Sequence, residues 1–184
     1  MAERENVSVE NGMDVVLVLL YAGGSKENKN EVIIGNTRLD KLVFLIEKET
    51  DLKKYLHNFT FEAYNYGPYS SELFDSVQAL VNAGLVKAET SNTHEYLDEA
   101  DRYQVEQQLE DSSETSKSTA VYSLTCDGEI VASELFNSLT QAEQSQISMI
   151  KKMFNSINLK RLLHYIYQKY PDSAVNSLIK DKIC

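Results

Sequence analysis

Leu80-Val81-Asn82-Ala83-Gly84-Leu85-Val86-Lys87-Ala88-Glu89-Thr90 decides how this chain is read. The apolar residues Leu73, Val77, Leu80 and Val81 recur at helical spacing up to Asn82, and Gly84 then stops the helix. Leu85 to Thr90 carries the pattern of a strand. A second strand pattern, Val121 to Thr125, follows about thirty residues on and supplies its partner. Between them runs a polar stretch from Ser91 to Thr119, far longer than the usual hairpin loop and dominated by Glu, Asp, Ser and Thr. Its part from Glu110 to Lys117 lacks apolar anchors and is expected to be the most mobile.

Upstream, Met13 to Tyr21 is apolar nearly all round and reads as a buried helix ending at Gly23-Gly24, although a strand is open to so β-branched a run. Thr37, with Asp40 three residues on, has the form of a capping box for the next helix. Leu39, Leu42, Val43 and Ile46 mark that helix's apolar face and leave Arg38 and Lys41 on the remainder. Phe59 to Tyr64 alternates as a short strand does, and Tyr66-Gly67-Pro68-Tyr69 reads as a break before Ser70 caps the third helix. Downstream, a helix is expected from about Asp127 to Asn137. Thr140 and Glu143 form a second capping box, and Ile147, Ile150, Phe154 and Ile157 make an apolar stripe. Leu159, Leu162, Leu163, Ile166, Tyr167 and Tyr170 make another, which Pro171 ends. A short helix is expected within Ser173 to Ile183.

The expected class is therefore α+β and mainly helical: a winged helix-turn-helix over residues 13–138, with a long acidic wing insert at about 91–119, and a C-terminal helical extension over 140–184. Leu39, Leu42, Val43, Ile46, Leu73, Val77, Leu80 and Leu124 are expected in one core.

Two resemblances sharpen this. Ala83-Gly84-Leu85-Val86 together with Tyr122-Ser123-Leu124-Thr125-Cys126-Asp127-Gly128 resembles the third-helix end and the strand-to-helix junction of PadR- and MarR-like regulators. Arg38 to Ile46, with Phe61-Glu62-Ala63-Tyr64-Asn65-Tyr66-Gly67-Pro68-Tyr69, is similar to uncharacterised prokaryotic winged-helix proteins and, in part, to Panacea-type (SocA-like) antitoxin domains. Leu162 to Ile183 looks like the tail of the uncharacterised group, and the acidic insert departs from the antitoxin pattern. The resemblance implies a regulatory or toxin-neutralising role.

Composition limits the chemistry. The 184 residues carry a net charge of −10, whereas a nucleic-acid binder needs Lys or Arg for each phosphate it neutralises. The third helix, Ser70 to Asn82, holds no Lys or Arg, so any base contact there rests on Ser71, Gln78 and Asn82, with Arg38 and Lys41 for phosphates. Lys151, Lys152, Lys160 and Arg161 group near the later helices and read as a solvated surface. Tyr64, Tyr66 and Tyr69 flank the Gly-Pro turn as packing or as a protein-contact patch. Ile147, Ile150, Phe154, Ile157, Leu163 and Ile166 offer a dimerisation face, so a homodimer through the C-terminal helices is expected.

His57, His94 and His164 have no ligand spacing, and neither a P-loop, a dinucleotide fingerprint nor a nucleophile elbow is present. No cofactor, metal or enzymatic activity is expected. Two distant cysteines and the absence of a signal or spanning segment point to a cytoplasmic, non-membrane protein. Two functions stay open: a DNA-binding regulator or autoregulating antitoxin, and a winged helix used as a protein-interaction module, even as a DNA mimic.

Overall fold

Asn11 starts the first helix. Its side chain accepts from the amides of Met13 and Asp14, and the Asp14 carboxylate accepts in return from the Asn11 amide at 3.2 Å. This reciprocal cap satisfies end donors that water would otherwise take, and it fixes the Val-rich run Gly12–Tyr21 (α1) as helix rather than strand. α1 is buried along almost its whole length and packs on later helices and on the sheet. It ends two residues before the glycine pair.

The structure is a computed structural model that describes residues 7–24, 28–91 and 119–183. The acidic stretch lies outside them, and with it the expectation for its tip. The described elements after α1 are β1 (Ile33–Ile34), α2 (Asn36–Glu49), a 3-10 turn at Asp51–Tyr55, β2 (Glu62–Tyr64), β3 (Gly67–Tyr69), α3 (Ser71–Asn82), β4 (Val86–Ser91), β5 (Thr119–Leu124), α4 (Cys126–Ser138), α5 (Gln141–Phe154), α6 (Leu159–Lys169), a 3-10 turn at Pro171–Ala174 and α7 (Lys180–Ile183). The chain is α+β and mainly helical.

β4 and β5 pair antiparallel from Val86 opposite Leu124 to Ser91 opposite Thr119. β1 adds to the other edge of β5, giving the order β1-β5-β4. A two-residue strand inside a polar stretch has no period to detect, and only its distant partner, with Ile33 opposite Tyr122 and Ile34 opposite Val121, makes β1 a strand. Tyr66 to Tyr69 departs from expectation too: Gly67–Tyr69 is a strand, with Pro68 opposite Ala63. A two-stranded hairpin has a free edge where proline's missing N–H costs no ladder bond.

The two stretches that set the reading of the sequence meet in space. Gly84 takes φ +73°, its amide donates to the Val81 carbonyl and that of Leu85 to Leu80, a closing pattern that glycine adopts cheaply. Thr125 then locks onto the same corner. Its amide donates to the Leu85 carbonyl at 3.0 Å, its hydroxyl donates to the Gly84 carbonyl at 2.6 Å and accepts from the Gly128 amide at 2.9 Å. The end of α3 and the start of α4 are thus one joint.

Of the eight core residues expected, seven are buried and Leu124 is half-buried against them. α5 opens on the expected cap, where the Glu143 carboxylate accepts from the Thr140 amide at 2.9 Å and the Thr140 hydroxyl accepts from the Glu143 amide. Thr140→Ala should lower stability by about 1 kcal/mol, read as a shift of the urea midpoint at unchanged slope. Among the described residues no helix is long and apolar enough to cross a membrane.

Candidate functional site

The cations expected at phosphates are turned inward. Arg38 is buried, and its guanidinium donates through Nη1 to the carbonyls of Phe154 and Ile157, each at 2.9 Å. These carbonyls end α5 and begin the turn into α6, so Arg38 caps a helix C-terminus, where positive charge is favoured. Lys41 is 1 % exposed, and its ammonium donates to Asp40 Oδ2 at 2.9 Å and to the Pro68 carbonyl at 2.7 Å. Neither charge stands on the outer surface where a duplex backbone would lie, Lys41 reaching only the lining of a cleft, which corrects their expected role.

The other group of four cations, expected as a solvated surface, divides, and Lys152 is exposed as expected. Lys160 and Arg161 are exposed, while Lys151 is fully buried and donates to the carbonyls of Leu20 and Ala22 at the end of α1.

The expected base-reading residues do share a face. Ser71, Gln78 and Asn82 are all exposed on α3, with Gln78 Nε2 donating to Asn82 Oδ1 at 3.0 Å. Asp75 is exposed on the same helix. At its first turn Glu72 accepts from the hydroxyls of Ser70 and Ser71. Its own backbone amide and then the Ser70 hydroxyl hold the carboxyl below its ordinary pKa, so it stays negative.

The dimerisation stripe is spent inside the chain. Ile147, Ile150, Phe154, Leu163 and Ile166 are buried, and Ile157 is half-buried against the same core. α5 and α6 fold back over α1 and α2, so the apolar area that predicted a partner copy is already covered. What α5 leaves outward among its large apolar side chains is Met149 and Met153.

The tyrosines fare differently. Tyr64 and Tyr69 are exposed at 54 % and 37 %, with ring centroids 5.3 Å apart, and Tyr69 stacks on Phe74 at 5.6 Å. Tyr66 is half-buried. The three line one cleft of about 180 Å³ together with Asn36, Thr37, Asp40, Lys41, Gly67 and Phe74. The hairpin supplies two aromatic walls, α3 supplies Phe74, and α2 supplies the polar end.

That polar end was only half legible. Thr37 was expected to cap α2 with Asp40 as its box partner, but Thr37 lies inside the helix, the residue before it is Gly35, at φ +94°, and no side chain caps it. Asp40 instead sits one turn in, 1 % exposed, accepting from Lys41 and from the Ser70 amide at 3.3 Å. Burial raises the Asp40 pKa, and the adjacent Lys41 opposes that rise. The local signal was an acid and a base side by side within the run Leu39 to Ile46, where both must be buried together. Gly67, at φ +90°, allows the chain to pass against Lys41 and Tyr167, since a Cβ there would lie 2.8 Å from the Tyr167 ring.

No protein-family model, no curated protein and no solved structure matches this chain.

Proposed function

We propose that this chain is a regulatory winged-helix protein, without enzymatic activity, that works as a protein-interaction module of the toxin-neutralising or antitoxin-like kind. The fold part of this reading is supported by the order α1-β1-α2-β2-β3-α3-β4-β5, in which a short hairpin separates α2 from α3, and by a sheet of order β1-β5-β4, in which α3 leads directly into the β4–β5 hairpin. The sequence resemblances to winged-helix regulators and Panacea-type domains point the same way.

The observation that carries the interaction reading is the outer face of α3. It holds no cation, it places negative Glu72 at its start, and the two cations nearest in sequence to a phosphate role are consumed as internal caps and pairs. Counterion release then contributes little, and a duplex meets carboxylates instead. Tyr64, Tyr69 and Phe74 beside that helix give the amphipathic aromatic surface on which protein partners are commonly held.

A second reading, a DNA-binding regulator, is favoured by one observation: Ser71, Gln78 and Asn82 lie on one exposed face. Titration against the chain's own promoter region and a scrambled duplex, at low and physiological salt, separates the two. The expected result is equal, weak binding to both duplexes at low salt, falling at least about tenfold at physiological salt. Tight binding to the promoter alone at physiological salt overturns the interaction reading.

A further inference from the structure

We propose that the cleft between α2, the β2–β3 hairpin and α3 binds the C-terminal carboxylate of a partner chain that ends in an apolar residue. The inference rests on the interaction reading above and names what that surface recognises.

Size comes first. About 180 Å³ is slightly more than the roughly 150 Å³ that admits a benzene ring, so the cleft takes one side chain and not a drug-sized ligand. Its lining is aromatic at Tyr64, Tyr66, Tyr69 and Phe74 and polar at Asn36, Thr37, Asp40 and Lys41. The Lys41 ammonium has three N–H groups and, among the described residues, two acceptors, so one N–H is left over. The amides of Asn36 and Thr37 open α2 without a side-chain cap and have no acceptor among the described residues. The two amides lie at the positive end of a 14-residue helix, one turn before Lys41.

Charge then selects the guest. Aromatic faces over a carboxylate would suit a cation, but both oxygens of Asp40 are engaged, one by Lys41 and the other by the Ser70 amide. An incoming ammonium would meet Lys41 first. A carboxylate is the group that accepts from Lys41 and from the helix amides together, while the attached side chain fills the aromatic slot.

The surroundings favour a chain end over a free small acid. Asn176 and Leu178 bind the tail along β2, donating to the carbonyls of Ala63 and Asn65 at 3.0 and 2.9 Å. Val175 and Leu178, on the tail so held, are left exposed at 61 % and 65 %, which gives apolar ground for the residues before the terminus. The net charge of −10 steers towards a basic partner, whose single terminal carboxylate is then selected locally.

The probe is an N-terminally labelled basic hexapeptide ending in phenylalanine, followed by fluorescence anisotropy on the unmodified protein. The free acid should bind at least about tenfold more tightly than the same peptide carrying a C-terminal amide. N-acetylphenylalanine should compete more weakly than the peptide, and phenethylammonium should not compete. Tyr64→Ala, at an exposed position, should weaken acid and amide alike. Asp40→Asn with Lys41→Met, which removes both charges together, should abolish the preference for the acid. Equal binding of acid and amide, binding of neither below millimolar concentration, or better competition by the ammonium overturns the proposal. A free acid that binds as well as the peptide overturns the chain-end assignment. Promoter-selective duplex binding would sink the interaction reading by a separate measurement, so the two failures are distinguishable.

Discussion

Gly128→Ala should cost more than about 4 kcal/mol, a loss seen when a substitution forces the backbone of a close-packed joint apart. A Cβ at Gly128 would fall on the Leu85 carbonyl oxygen, well inside van der Waals contact. That oxygen cannot retreat, because it accepts the Thr125 amide and belongs to the chain leaving α3. Gly84, in the same joint, provides the control. Its φ is +73° but a Cβ there would meet nothing within 4 Å, so Gly84→Ala should cost only about 1–2 kcal/mol, the strain of a left-handed residue. Urea denaturation of both variants checks the pair. A Gly128→Ala midpoint close to that of the parent would mean that α4 does not begin against Leu85.

Lys151→Ala should cost about 3–5 kcal/mol, because it opens a cavity and strands two buried carbonyls at the end of α1. The side chain is worth more than a filler: its ammonium closes a helix C-terminus whose carbonyls have no water to turn to. Burial pushes its pKa down from 10.5 to about 7, with nearby Glu31 opposing. Unfolded, the group holds its proton up to about 10.5; folded, it releases it above about 7. Between those values the unfolded state binds more protons, so Lys151 makes the fold more stable as pH rises through that window, and its burial counts most against the fold below it. Lys151→Met keeps the volume and removes the titration. The stability difference between parent and Lys151→Met should therefore move in the parent's favour from pH 7 to pH 9.5, while other groups cancel. A difference independent of pH would place the ammonium in contact with water.

What the sequence made legible was local. The stop at Gly84, the caps at Ser70 and Thr140, and the apolar stripes of α2, α3, α5 and α6 all depend on neighbours within a few residues, and each is where the pattern put it. The misread residues have distant partners. Arg38 looked solvent-facing because Leu39, Leu42, Val43 and Ile46 define one face, but the helix is buried from Arg38 to Ile46. Its acceptors, Phe154 and Ile157, are more than 110 positions away. Lys41 depends on a carbonyl of the hairpin, and β1 on a strand beyond the acidic stretch. The stripe of α5 and α6 was legible as apolar but silent on whether it meets this chain or another. Of the cleft, the three tyrosines were found from the turn they flank. Phe74, Asn36 and Thr37 joined them only through the packing of α3 and the hairpin on α2.

The same long bonds set the order in which the chain can be completed during synthesis. α1 leaves a ribosome ahead of the other described elements, yet its last carbonyls wait for Lys151, and the guanidinium of Arg38 waits for Phe154 and Ile157. Until those residues emerge, an almost wholly apolar helix has no cover on the side that α5 takes. A nascent chain halted before α5 should remain loosely collapsed and a client for holding chaperones, and the gain of protease resistance should come late and in one step.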